Sequence, residues 1–158
     1  MIILGIDPGT QRVGYGVIKK EAHVLTLVDA GILTVTKKDQ VGALLEVRHE
    51  MERLVSRVHP DLAAVEKLYF AKNQKTALAV AQARGVIMVT IAEHHVPILE
   101  YAPNEIKARV TGDGGADKRA IAKMVALTLG VSPLNILDDA TDAIAIALAA
   151  ERDARMVK

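Results

Sequence analysis

The chain has 158 residues, 51% of them apolar, no cysteine and a formal charge of +1 at pH 7, and this length and apolar content predict one domain, residues 1–158, around a single core. The lack of cysteine excludes disulfides, thiolate zinc sites and thiol nucleophiles and fits a reducing cytosol, so any metal must be held by oxygen or imidazole. Lys and Arg outnumber Asp and Glu by only 20 to 19, so bulk charge gives no licence for nucleic-acid binding. The longest apolar stretch, Ala143 to Ala150, is far too short to span a bilayer, and no basic region precedes the apolar N-terminus, so a soluble, untargeted protein is expected.

Ile2-Ile3-Leu4-Gly5-Ile6 reads as a strand buried on both faces, and Asp7 stands where Pro8-Gly9 must turn it. A carboxylate there needs donors, a cation or a metal; capping the Gly9 or Thr10 amide satisfies it equally. Val13 to Ile18 predicts a second strand, Lys19-Lys20-Glu21 a tight turn, and Val24 to Val35 a third strand, an antiparallel meander. Apolar residues at helical spacing predict an amphipathic helix over Gln40 to Val58, ended by Pro60. Leu62 to Val65 is a short buried strand running into Glu66, the second acid at a strand end. Two of the four aromatics, Tyr69 and Phe70, follow it with Lys72 and Asn73; a base-stacking loop and a lid packed on the core both account for them.

Gln74 to Glu93 predicts a helix apolar on more than one face, central or at a subunit interface. Val96 to Leu99 is the next strand, Asn104 to Val110 a short helix carrying Lys107, Thr111 to Gly115 a loop, and Lys118 to Leu129 a helix capped by Asp117 and stopped by Gly130. The last helix opens around Asp138-Asp139 and runs to about Arg155. Asp139 and Asp142, three apart, share one face of its first turn. N-terminal capping accounts for one of these acids comfortably and for all three together less well, and Asp138 is taken as the cap. The five histidines (His23, His49, His59, His94, His95) have no metal-ligand spacing. The element order predicts an α/β fold with a mixed sheet and helices on both faces.

Gly5-Ile6-Asp7-Pro8-Gly9, Val65-Glu66 with Ala71-Lys72-Asn73, Gln82-Ala83-Arg84-Gly85, Tyr101 with Lys107, Gly112 with Lys118, and Asp139-Ala140-Thr141-Asp142-Ala143 run end to end in an order that resembles the RuvC-type Holliday-junction resolvases of the RNase H-like nuclease superfamily. The first loop alone also resembles the phosphate loop of sugar kinases and actin-like ATPases. Those close two domains around nucleotide, and one domain of this length supplies half a site.

The resemblance implies an RNase H-like five-stranded mixed sheet and a structure-selective endodeoxyribonuclease that resolves four-way DNA junctions by paired nicks in recombination and repair. It implies Asp7, Glu66, Asp139 and Asp142 as ligands of two Mg²⁺ ions, with Mn²⁺ a substitute, and products bearing 5′-phosphate and 3′-hydroxyl ends. Hard divalent ions would offset four clustered acids. Lys107 and Lys118 match positions that offset charge on the scissile phosphate, although each alone also reads as solvated surface. Tyr69 matches a base-stacking position; with Phe70 adjacent, either ring could serve, and Lys72 and Asn73 complete the same DNA-binding loop. A two-fold symmetric substrate implies a homodimer, for which the 74–93 helix suits the contact. A branch-migration motor complex is a further implied partner, in the cytoplasm at the nucleoid. A related nuclease on another structured nucleic acid and a non-catalytic junction-binding scaffold are the competing readings, and four intact acids argue against the scaffold.

Overall fold

A computed structural model of the chain describes residues 1–68, 74–132 and 138–155. In chain order the elements are β1 (Ile2–Asp7), β2 (Arg12–Glu21), β3 (Val24–Thr34), α1 (Gln40–Val58), β4 (Leu62–Glu66), α2 (Gln74–Glu93), β5 (Ile98–Tyr101), α3 (Pro103–Thr111), α4 (Lys118–Leu129) and α5 (Asp138–Ala150), then a short 3-10 helix, Asp153–Arg155. The five strands form one sheet in the order β3-β2-β1-β4-β5. The first three run antiparallel, and β4 and β5 pair parallel to β1, as expected of the mixed sheet. No helix among the described residues is long and apolar enough to cross a membrane.

Strand alternation divides β1 between two cores. Leu4 and Ile6 point to the side of α1 and α2, where they join Val47, Met51, Leu54, Ile87 and Ile91. Ile3 points to the other side, with Leu62 and Ala64 of β4, Ile106 of α3, Ile121 and Val125 of α4, and Ile144 of α5. By the same period of two, Asp7 follows Ile3 and Gly5, and Glu66 follows Leu62 and Ala64, on the α5 side. The parallel register sets Ile6 level with Val65, so Asp7 and Glu66 are the next residues on neighbouring strands.

The α5 helix lies against β1 and β2 more closely than side chains would permit. A Cβ on Gly5 would stand 2.1 Å from the carbonyl oxygen of Ala143, and one on Gly16 would stand 2.6 Å from the Ile144 amide nitrogen. Gly5 and Gly16 face each other across the β1–β2 ladder, so the helix backbone rests in a trough without side chains. Ala140, Ala143, Ala145, Ala147, Ala149 and Ala150 are all buried in this packing or beside it.

The helix ends follow sequence chemistry. The Asp39 and Asp117 carboxylates accept from the amides of Gly42 at 2.7 Å and Ala120 at 2.8 Å. His59 and Gly130 close α1 and α4 in the left-handed conformation, with φ of 49° and 64°. Three boundaries differ from expectation. Strand β5 spans Ile98–Tyr101 rather than Val96 to Leu99. The first hairpin does not turn at Lys19-Lys20-Glu21; β2 continues to Glu21 and the chain reverses at Ala22-His23, because Lys20 is held in the ladder by its amide bond to Met1 O at 2.8 Å and by an ion pair with Glu151. The α5 helix stops at Ala150 rather than near Arg155. Beyond it Asp153 is drawn onto β5 and α3, accepting from Tyr101 Oη at 2.8 Å and pairing with Arg109 Nη1 at 2.9 Å.

The trough makes a direct prediction. A methyl at position 16 meets backbone that cannot rotate away, so Gly16→Ala should lose about 3 kcal/mol, at the upper end of overpacking costs, and roughly 6–12 °C of Tm. Urea and thermal unfolding measure this; a Tm within about 2 °C of the parent would contradict the close-packing account.

Candidate active site

Asp7, Glu66 and Asp142 open into one cleft of about 330 Å³, with Lys107 and Lys118 on its walls and Ile106, Ile121 and Ile146 behind them. Each arrives from a different element: the ends of β1 and β4, the first turns of α5 and α4, and the middle of α3. Asp139, one residue into α5, is not among the lining residues. Its carboxylate turns to the rim and pairs with Arg12 Nε at 2.9 Å. Close approach again matters, since a Cβ at Gly14, opposite Asp7 on β2, would stand 2.3 Å from the Asp139 carbonyl oxygen.

The electrostatics of the cleft are those of crowded acids. Burial, then the charges of Glu66, Asp142 and Asp139, push the Asp7 carboxyl up to about 7, with Lys118 pulling in the opposite direction. Glu66 is raised too, by burial first and by Asp142 second, against Lys118 and Lys107. Lys118 Nζ donates to Asp142 Oδ2 at 3.0 Å. The chain's own cations thus hold two of the four acids, Asp139 through Arg12 and Asp142 through Lys118, while Asp7 is left half protonated near neutral pH.

This set can be tested against a divalent cation. Among the described residues no three carboxylate or imidazole groups stand close enough together to form a ready-made cage. The donor chemistry nevertheless fits: all four candidate side chains offer hard oxygen ligands, and three of them share a cleft. The charge fits as well, because the mutual repulsion that, after burial, raises Asp7 is what a bound cation would relieve. Forming the cage requires Asp139 and Asp142 to exchange Arg12 and Lys118 for the cation, a side-chain rotation at two partly exposed ion pairs.

Of the residues singled out from sequence, Asp7, Glu66, Asp142, Lys107 and Lys118 come together and Asp139 lies beside them. Tyr69, Phe70, Lys72 and Asn73 lie outside the described residues. Two basic residues were given no role by sequence reasoning. Arg12 follows Asp7 by five positions across the first turn, a spacing that could have marked it as a counter-ion. Arg84 sat within a matched motif without an assignment, and its Nε donates to the main-chain oxygen of Glu66 at 2.9 Å.

The sequence model of the family described as "Crossover junction endodeoxyribonuclease RuvC" matches residues 3–150. A protein of that name from Roseiflexus sp. (strain RS-1) is 44% identical over 156 residues, 98% of this chain and 93% of its own. Another from Chloroflexus aggregans is 47% identical over 149 residues, 94% of this chain and 91% of its own. Among solved structures, Thermus thermophilus RuvC superposes with a TM-score of 0.87 at 29% identity, covering 99% of this chain and 96% of that one. T. thermophilus RuvC in complex with Holliday junction substrate gives 0.89 at 30% identity with the same coverage. The strand order, the acids at the ends of β1 and β4 and on α5, and these matches along nearly the whole length agree: the chain belongs to the crossover junction endodeoxyribonuclease RuvC family and has its RNase H-like fold.

Proposed function

We propose that this chain is a divalent-cation-dependent endonuclease that cuts four-way DNA junctions by paired, symmetric nicks. The observation that carries the reading is the cleft of Asp7, Glu66 and Asp142, where burial and then repulsion among the acids raise Asp7 to about 7 beside two lysines. The relative crystallised with Holliday junction substrate supports the choice of DNA partner.

In this reading Asp7, Glu66, Asp139 and Asp142 hold two Mg²⁺ ions. The chemistry two such ions would supply is activation of a water and charge offset in phosphodiester hydrolysis, for which 5′-phosphate and 3′-hydroxyl ends are the proposed products. The remaining work belongs to the chain. Glu66 and Asp7, fixed at strand ends, set where the phosphate stops. Lys107 and Lys118 on the cleft walls offset its charge, and Lys118, once released from Asp142, turns from an internal counter-ion into a ligand for phosphate. Ile106, Ile121 and Ile146 behind the acids keep the local dielectric low, which strengthens each of these interactions. Tyr69, Phe70, Lys72 and Asn73 are assigned to base stacking and backbone contact near the junction centre.

A junction with two-fold symmetry requires two sites, and α2 offers the contact. Leu78 and Val89 on it, with Leu45 on α1, are exposed, and apolar Leu44, Val86 and Val89 line a shallow groove between the two helices. A homodimer built on this face, working with a branch-migration motor at the nucleoid, completes the proposal.

With Mg²⁺, a synthetic four-way junction should be nicked in pairs while matched duplex and single strand remain intact. Chelator should abolish the nicks, Asp7→Asn should lower their rate by at least about a thousandfold, and Lys107→Ala should lower it about a hundredfold. Equal cutting of linear duplex would contradict junction selectivity. Light scattering at micromolar concentration should give a dimer that Val89→Asp converts to monomer; a monomeric parent chain would contradict the α2 interface.

A further inference from the structure

The end of β4 carries Glu66, and its backbone is held in an unusual way. The Ala63 amide of β4 donates to Pro97 O, just ahead of β5, at 2.9 Å, and the Lys67 amide, just past the end of β4, donates to Tyr101 O of β5 at 2.8 Å. Backbone groups alternate sides along a strand, so the main-chain groups of Glu66 face the opposite neighbour, β1. With Val65 level with Ile6, the ladder would next offer the amide of residue 8 to the Glu66 carbonyl. Residue 8 is proline and has no N–H to give. The turn that exposes Asp7 therefore removes the donor that would have tied down the end of the strand carrying Glu66.

Arg84 reaches this carbonyl from α2. Its side chain is only 15% exposed, its Nε donates to Glu66 O at 2.9 Å, and its Nη2 pairs with the Glu100 carboxylate on β5. The planar guanidinium suits the task, giving one edge to a carbonyl and another to a carboxylate in a fixed fork. Glu100 offsets its charge, so Arg84 does not act as another cation of the acidic cleft. The charges felt by the Glu66 carboxyl are those of Asp142, Lys118 and Lys107.

We infer that Arg84 is a positioning residue: it replaces the ladder donor that Pro8 cannot supply, fixes the end of β4, and thereby aims the Glu66 carboxylate into the cleft. The inference rests on the proposed function in taking Glu66 as a cation ligand. It adds a mechanical tie between that ligand and α2, so the helix offered for dimer contact and the cleft are held in one register. Residues that orient metal ligands typically change metal affinity by 10–100-fold when removed, and the lower end applies to a backbone contact.

The test is Mn²⁺ binding by the full chain, followed by electron paramagnetic resonance, with junction affinity measured in chelator. Arg84→Ala should weaken Mn²⁺ about tenfold while junction affinity in chelator stays within about twofold. Adding Pro8→Ala in that background restores an N–H at the ladder position and should recover at least about threefold of the lost Mn²⁺ affinity, which a merely destabilised helix would not do. Ile87→Val, a buried truncation one turn beyond Arg84 on the same helix, controls for stability and should leave Mn²⁺ affinity unchanged. If Arg84→Ala does not fold, Arg84→Lys, which keeps the charge opposite Glu100 but has a single ammonium, carries the test with the same thresholds. Mn²⁺ affinity within twofold of the parent, equal weakening in Ile87→Val, or no recovery with Pro8→Ala overturns the inference. A parent chain that binds no Mn²⁺ would instead overturn the proposed metal site.

Discussion

Everything chemical in this molecule depends on how closely one helix approaches one pair of strands. With Gly5 and Gly16 facing each other across β1 and β2, the backbone of α5 comes within about one atom's width of the sheet. Larger residues there would hold the helix at the usual spacing of a helix on a sheet and carry Asp142 out of reach of Asp7. The same trough explains the alanine-rich composition of α5: small side chains let the helix settle, while Ile144, lying over Gly16, and Ile146 and Leu148 fill the core around it. Glycine in a strand weakens it, by roughly 0.5–1 kcal/mol relative to alanine, and here that cost gains the geometry of the cleft.

The second constraint is electrostatic. Crowded carboxylates oppose the fold when they are ionised, and the chain manages this in three ways: Arg12 takes Asp139, Lys118 takes Asp142, and Asp7 retains a proton to near neutrality. In the proposed function each is a placeholder for a divalent cation, and two are partly exposed pairs whose separation costs little. On that proposal the site stores unfavourable charge that a bound cation would release, coupling stability to metal occupancy.

Much of this was legible from sequence because it is local. The bounds of α1 follow from its apolar period and Pro60, those of α4 from Asp117 and Gly130, and the acids at strand ends from the way β-branched runs stop at Asp7 and Glu66. What was not legible is long-range. Gly16 reads as a weak point in a strand until its neighbour in space, Ile144, is known. Lys20 belonged to a predicted turn because its partner Glu151 lies 131 residues away. The position of Asp139 at the rim depends on Arg12, and no spacing rule distinguishes an acid that faces the cleft from one a helical step away that pairs outside it. Arg84 shows the same limit, since the need for it arises from Pro8 only once β1 and β4 are known to be neighbours.

The central claim, that four acids are assembled against their own repulsion to await a cation, is tested most directly by thermal unfolding against pH, with chelator and with Mg²⁺. A carboxyl raised from 3.8 to about 7 binds its proton in the folded state, so its contribution is present at low pH and is lost as pH rises towards about 7. In chelator the parent chain should lose roughly 2–3 kcal/mol between pH 5 and 7 relative to Asp7→Asn, and Mg²⁺ should restore it at pH 8 in the parent but not in the variant. Identical pH profiles for the two proteins in chelator, with no upward shift of the parent on adding Mg²⁺, would contradict the account.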